Sequence, residues 1–201
     1  SFKRLGRTFL ELAKQKHIFV FLLAFFFYID GVYTVIDMAT AYGQALGLDS
    51  TGLLLALLVT QIVAFPCVLI FSRLVKKVRP ETIITICIAA YFCIAVYAYW
   101  LDTQFDFWLL AVLVGMFQGT IQALSRSYFA KIIPAEKSGE FFGIYDICGK
   151  GASVIGTALV SVLSQLTGSI NIGVSALSVM FLIGLVLFRY SAKLNTGREM
   201  Q

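Results

Sequence analysis

Residues 18–43 read IFVFLLAFFFYIDGVYTVIDMATAYG, twenty-six positions of which only two, Asp30 and Asp37, carry a charge. A bilayer crossing needs about 17–25 predominantly apolar residues at about 1.5 Å each, and this run meets that length. It is too long for the apolar region of a secretory signal, and no small-residue cleavage site follows it. The stretch therefore reads as a membrane-spanning helix with two carboxylates to be explained.

The rest of the chain agrees. Of its 201 residues, 59% are hydrophobic and 13% charged, with a mean hydropathy of +0.87; a soluble domain has roughly 45–50% apolar residues. Further spans are expected near 51–72, 81–101, 107–128, 141–165 and 172–190. Basic residues gather in alternate connections, as they do in cytoplasmic loops. Lys3, Arg4, Arg7, Lys14 and Lys16 precede the first span, and Arg73, Lys76, Lys77 and Arg79 follow the second. Lys131 and Lys137 follow the fourth, and Arg189, Lys193 and Arg198 the sixth. The remaining connections hold Asp49, Asp102 and Asp106 instead. Both termini are thus expected in the cytoplasm, flanking a multi-pass protein of the cell (inner) membrane. Residues 1–17 form a basic segment, 18–190 the transmembrane domain and 191–201 a tail. The net charge of +5 is a topology signal directed at anionic lipid rather than at nucleic acid.

Chemistry-bearing motifs are scarce. Cys67, Cys87, Cys93 and Cys148 fall within spans without CxxC spacing, and His17 is the single histidine. No metal site, cofactor or Ser-His arrangement is expected from this set. No P-loop, GxGxxG or HExxH occurs. A conduit or binding protein is expected, not an enzyme.

A shift of 88 positions lays the first three spans over the last three: Asp30 falls on Gln118, Gly31 on Gly119, Ser50 on Ser138 and Ala64 on Ala152. The two units, about 14–101 and 102–189, have odd numbers of spans, so the second must be inserted upside down. The expected fold is an all-α integral membrane domain of six helices in a three-plus-three inverted repeat, the arrangement within each half of major facilitator transporters.

Polar residues in spans mark solute and proton pathways or helix contacts. On the first span Asp30, Tyr33, Thr34, Asp37 and Gln44 recur at helical spacings; Gln61 marks the second; Gln118, Gln122, Ser125 and Arg126 the fourth; Asp146, Lys150, Ser153 and Thr157 the fifth. Asp30 lies about 18 Å into its span, close to the midplane, and is the first candidate for a proton carrier. Asp37, about 10 Å further out, belongs to a wetter vestibule. Lys150 either pairs with Asp146 one turn away or faces Asp30 across a cavity. Tyr28, Tyr33 and Tyr145 are candidates to line a solute site. Gln118 and Gln122 either bind a polar solute or tie helices together, and Arg126 is a gate or anchor near the cytoplasmic end. Gly43/Gly47, Gly115/Gly119 and Gly139/Gly143 have the GxxxG spacing of close helix crossings. Gly149, Gly151 and Gly156 allow bending around Lys150.

Residues 115–153, GMFQGTIQALSRSYFAKIIPAEKSGEFFGIYDICGKGAS, resemble the vacuole-effluxer-like branch of the major facilitator superfamily. FFFYIDGVYTVID, residues 25–37, is similar to the start of that branch's second six-helix half. QALSRSYFAKIIP (122–134) and FFGIYD (141–146) are the specific segments. The resemblance implies a C-terminal half that works with an N-terminal six-helix half, a homodimer mate being the alternative. It also implies secondary transport of a small polar solute by alternating access. Amino-acid efflux is known for eukaryotic relatives, and proton coupling is one option. The loop FSRLVKKVRP (71–80) lacks the Gly and Asp of the superfamily's usual GxxxDRxGR, so gating through that Asp is not expected. The competing reading is a membrane assembly or receptor module whose polar stripes only hold helices together.

Overall fold

The computed structural model describes residues 10–45 and 47–199, which contain no β-strand; Lys3, Arg4 and Arg7 lie outside them. The principal helices among the described residues are α1 (Lys16–Ala45), α2 (Ser50–Leu74), α3 (Pro80–Tyr97), α4 (Gln104–Ile132), α5 (Ser138–Lys150), α6 (Val154–Thr167), α7 (Ile170–Ser175) and α8 (Leu177–Glu199). They make six segments long and apolar enough to cross a membrane. The fifth combines α5 and α6, and the sixth α7 and α8.

Local chemistry sets the boundaries. Asp49 caps α2 by accepting from the Gly52 N–H at 3.1 Å. Thr103 and Asp106 form a reciprocal capping box on α4, and Pro80 opens α3, where a missing N–H costs nothing. Two further features follow from the same rules. The helix α8 continues through 191–199, where falling hydropathy predicts a tail, because polar residues can extend a helix beyond the hydrocarbon layer. The fifth span is not continuous: Gly151 to Ser153 break it, with Ser153 at φ +77°. Such interruption is tolerated at membrane depth only where other protein groups satisfy the freed backbone.

The helix contacts obey the repeat. The first span packs on the sixth and the fourth on the third; the second packs on the fourth and the fifth on the first. Exchanging each span with its counterpart three further on maps this pattern onto itself. The second and fifth spans, counterparts of each other, are the least covered, with 17% of their apolar windows buried against 67% for the first. In lipid such packing rests on van der Waals fit and interhelical hydrogen bonds. An aromatic cluster supplies the fit, with Phe21 stacked on Phe129 and Phe25 on Tyr145 at ring separations of 5.7 and 4.1 Å. Tyr28–Ser125 (2.6 Å), Tyr42 to the Ala98 carbonyl (2.8 Å) and Ser191 to the His17 carbonyl (2.7 Å) supply the bonds.

Close crossings depend on particular glycines. A Cβ on Gly115 would stand 2.6 Å from the Thr60 carbonyl oxygen, which is backbone and cannot swing aside. Gly139 and Gly143 differ: nothing lies within 4 Å of their added Cβ, so this GxxxG makes no close crossing among the described residues. Gly115→Ala is accordingly expected to destabilise the full-length protein by about 1–3 kcal/mol. Gly139→Ala should leave stability unchanged or raise it by up to about 1 kcal/mol. Thermal unfolding in detergent measures both.

Candidate functional site

Three spans converge on a polar cleft of about 720 Å³. The first contributes Phe25, Tyr33 and Asp37, the fourth Gln122 and Arg126, and the fifth Tyr145, Asp146 and Lys150. At about 1.5 Å per residue, Phe25 to Asp37 spans about 18 Å along α1, so the cleft occupies the middle of the membrane-spanning length. Its charged side chains balance: two carboxylates, one guanidinium and one ammonium.

Arg126 donates to Asp146 Oδ1 at 3.1 Å, with the side chains 58% and 44% exposed. Its guanidinium also lies 5.0 Å from the centroid of Phe142 and 5.9 Å from that of Tyr145. These contacts fix its position over the aromatic wall and leave other donors of the fork available. Asp146 therefore pairs with Arg126 rather than with Lys150. The physical reason is reach: the planar guanidinium on α4 meets the α5 carboxylate across the helix gap. Lys150, at the C-terminal end of α5, has no carboxylate partner among the described residues, and its charge complements the negative end of that helix.

Asp30 does not line this cleft. Its carboxylate is fully buried and accepts from the Gly156 N–H at 3.1 and 3.2 Å, with the Thr34 hydroxyl at 3.5 Å. Gly156 is the third residue of α6, so Asp30 supplies from another helix the acceptor that an N-cap side chain supplies locally. Ser153, the N-cap residue itself, makes no side-chain cap bond. Neither of the two arrangements expected for Lys150 forms: Asp146 pairs with Arg126, and Asp30 binds the restart of the broken fifth span instead of facing Lys150. Gly156 permits the approach, because an added Cβ would collide with Thr34 and crowd Asp30 Oδ1.

Gln61 and Gln118 are also elsewhere. The Gln118 amide donates to Gln61 Oε1 at 3.1 Å, joining α4 to α2. This is the repeat's counterpart of Asp30 gripping the fifth span. The pair borders a second, largely apolar chamber of about 510 Å³ with Thr34, Thr60 and Tyr42 on its wall. Tyr28 is buried against Ser125 and takes no part in the cleft. The hydropathy of the first span conceals one contributor, Phe25, whose aromatic neighbours read equally well as lipid-facing.

A family model for Atg22-like vacuole effluxers matches residues 1–201. The chain belongs to the Atg22-like vacuole effluxer family. It is 48% identical over 190 residues to YxiO of Bacillus subtilis, an uncharacterized MFS-type transporter, covering 94% of this chain and 44% of that protein. It is 24% identical over 201 residues to autophagy-related protein 22 of Candida glabrata, covering 94% of this chain and 37% of the relative. With the Saccharomyces cerevisiae protein of the same name it shares 31% identity over 169 residues, 78% of this chain and 32% of the relative. The chain thus spans less than half the length of these Atg22-like relatives. Family membership and the six apolar spans make it a multi-pass membrane protein.

Proposed function

We propose that this chain is the solute-binding half of a secondary transporter for small zwitterionic solutes, amino acids being the simplest members of that class. The observation that carries the reading is the cleft itself: Arg126 and Lys150 can receive a carboxylate, and Asp37 and Asp146 an ammonium group, beside an aromatic wall. A neutral sum of charges disfavours a purely anionic or cationic cargo. The poorly covered second and fifth spans give a second six-helix half a surface to rock against, and the greater length of the relatives supports its being part of the same polypeptide. Alternating access then exposes the cleft to each side in turn, with both termini in the cytoplasm of a cell-membrane protein. Proton coupling falls to Asp37 or Asp146, whose carboxylates border the cleft, rather than to Asp30.

The test is counterflow of a labelled amino acid in proteoliposomes holding the full-length protein. Unlabelled amino acid should compete, whereas its amide, lacking the carboxylate, and its deaminated acid, lacking the ammonium group, should compete at least tenfold less well. Equal competition by either analogue would remove the zwitterion reading. Absence of counterflow with every amino acid tried would favour the assembly-module reading.

A further inference from the structure

Where α1 begins and α8 ends, α3 and α8 border a pocket of about 490 Å³ that has no part in the cleft. Arg79, Arg189 and Lys193 converge on it from two helices, with Glu81 the one carboxylate in its wall. The pocket therefore carries a formal charge of +2. None of the three cations forms an ion pair among the described residues. The N-terminus of α3 opens here without a side-chain cap, adding its partial positive charge.

The depth of the pocket says which anions reach it. The apolar run of α3 begins at Ile83, and that of α8 ends at Phe188, so the charges stand at the rim of the hydrocarbon layer. Tyr190, 55% exposed, has the amphipathic ring that settles at this level. Towards the membrane interior Ile86 on α3 and Val186 and Ile183 on α8 are exposed, at the three- and four-residue spacings that put them on the helix faces carrying Thr82 and Tyr190 of the pocket. Cations above and apolar side chains below match a phosphate joined to acyl chains.

We propose that the α3/α8 groove is a specific site for one anionic phospholipid, its phosphate held by Arg79, Arg189 and Lys193 and its acyl chains along Ile86, Ile183 and Val186. Basic pockets between spans bind such headgroups by charge, and the apolar side chains below separate this ligand from a soluble phosphate. The site is independent of what the cleft transports.

Native mass spectrometry of the detergent-solubilised full-length protein with phosphatidylglycerol and phosphatidylcholine tests it. The wild type should retain one phosphatidylglycerol in preference to phosphatidylcholine. Each cation removed should weaken that retention about threefold to fivefold, so the triple variant Arg79→Gln, Arg189→Gln, Lys193→Gln should lose the preference. The variant Arg73→Gln, Lys76→Gln, Lys77→Gln removes equal charge from the nearby turn and should keep it. Equal losses in the two triples, or none in the first, would overturn the site. Displacement of the lipid by millimolar glycerol phosphate would overturn the lipid as its ligand. Should the first triple fail to fold, Glu81→Gln tests the pocket with opposite sign: retention should rise about threefold to fivefold, and an unchanged value refutes the proposal.

Discussion

Asp30→Ala is expected to lower the thermal midpoint and the recovery of the full-length protein, whereas Asp30→Asn should leave it folded and active in transport. Alanine takes away the acceptor of the Gly156 N–H in a fully buried setting, where no water replaces it. An unmet buried donor at a helix N-terminus costs about 1–3 kcal/mol. A loss on that scale is a substantial share of the roughly 5–15 kcal/mol that holds a typical protein together. Asparagine keeps one acceptor oxygen and gives up the second, at about 1 kcal/mol. Recovery of a monodisperse peak and the thermal midpoint in detergent report stability, and counterflow reports function. If alanine were tolerated while asparagine abolished transport, Asp30 would be a proton carrier and the capping role would fail.

That contrast shows where the residues speak for themselves. The six spans are legible because a bilayer imposes one length and one chemistry on any helix that crosses it: residues 51–72 and 107–128 fall inside α2 and α4. The cleft is legible in part. Tyr33, Asp37, Gln122, Arg126, Asp146 and Lys150 do meet in one place, since polar side chains on facing helices find a common cavity. Asp30 and Asp37, seven residues apart, do lie on one stripe, about 20° apart around α1 at about 100° per residue, but Thr34 and Tyr33 flank it about 100° from each other, and the two carboxylates sit about two turns apart in depth. The break in the fifth span brings α6 over Asp30 and Thr34 and leaves Tyr33 and Asp37 open. The residues Gly149, Gly151 and Gly156 make bending possible, but the acceptor that meets the restarted helix after Ser153 is Asp30, 126 residues away from Gly156. Such a partner is beyond local pattern. The same holds for the pairing of Asp146: helical spacing offers Lys150, and only the packing of α4 against α5 offers Arg126.

Lys150 should be the most informative single substitution for transport. Its ammonium group lines the cleft, is exposed, and has no carboxylate partner among the described residues. Lys150→Gln is therefore expected to cost no more than about 1 kcal/mol of stability while weakening a carboxylate-bearing solute about a hundredfold, the scale of removing one member of a charge pair across an interface. Arg126→Gln should weaken the solute as well, but it also frees Asp146 and ends the contacts with Phe142 and Tyr145. Because that ion pair is about half exposed, the accompanying loss of stability should be no more than about 1–2 kcal/mol. Specificity separates contact from support. If Lys150 receives the carboxylate together with Arg126, the glutamine variant should discriminate an amino acid from its amide at least tenfold less well than the wild type, since one of the two groups that tell them apart is gone. If both solutes weaken together and their ratio survives, Lys150 steadies the end of α5 and the carboxylate is received by Arg126 alone.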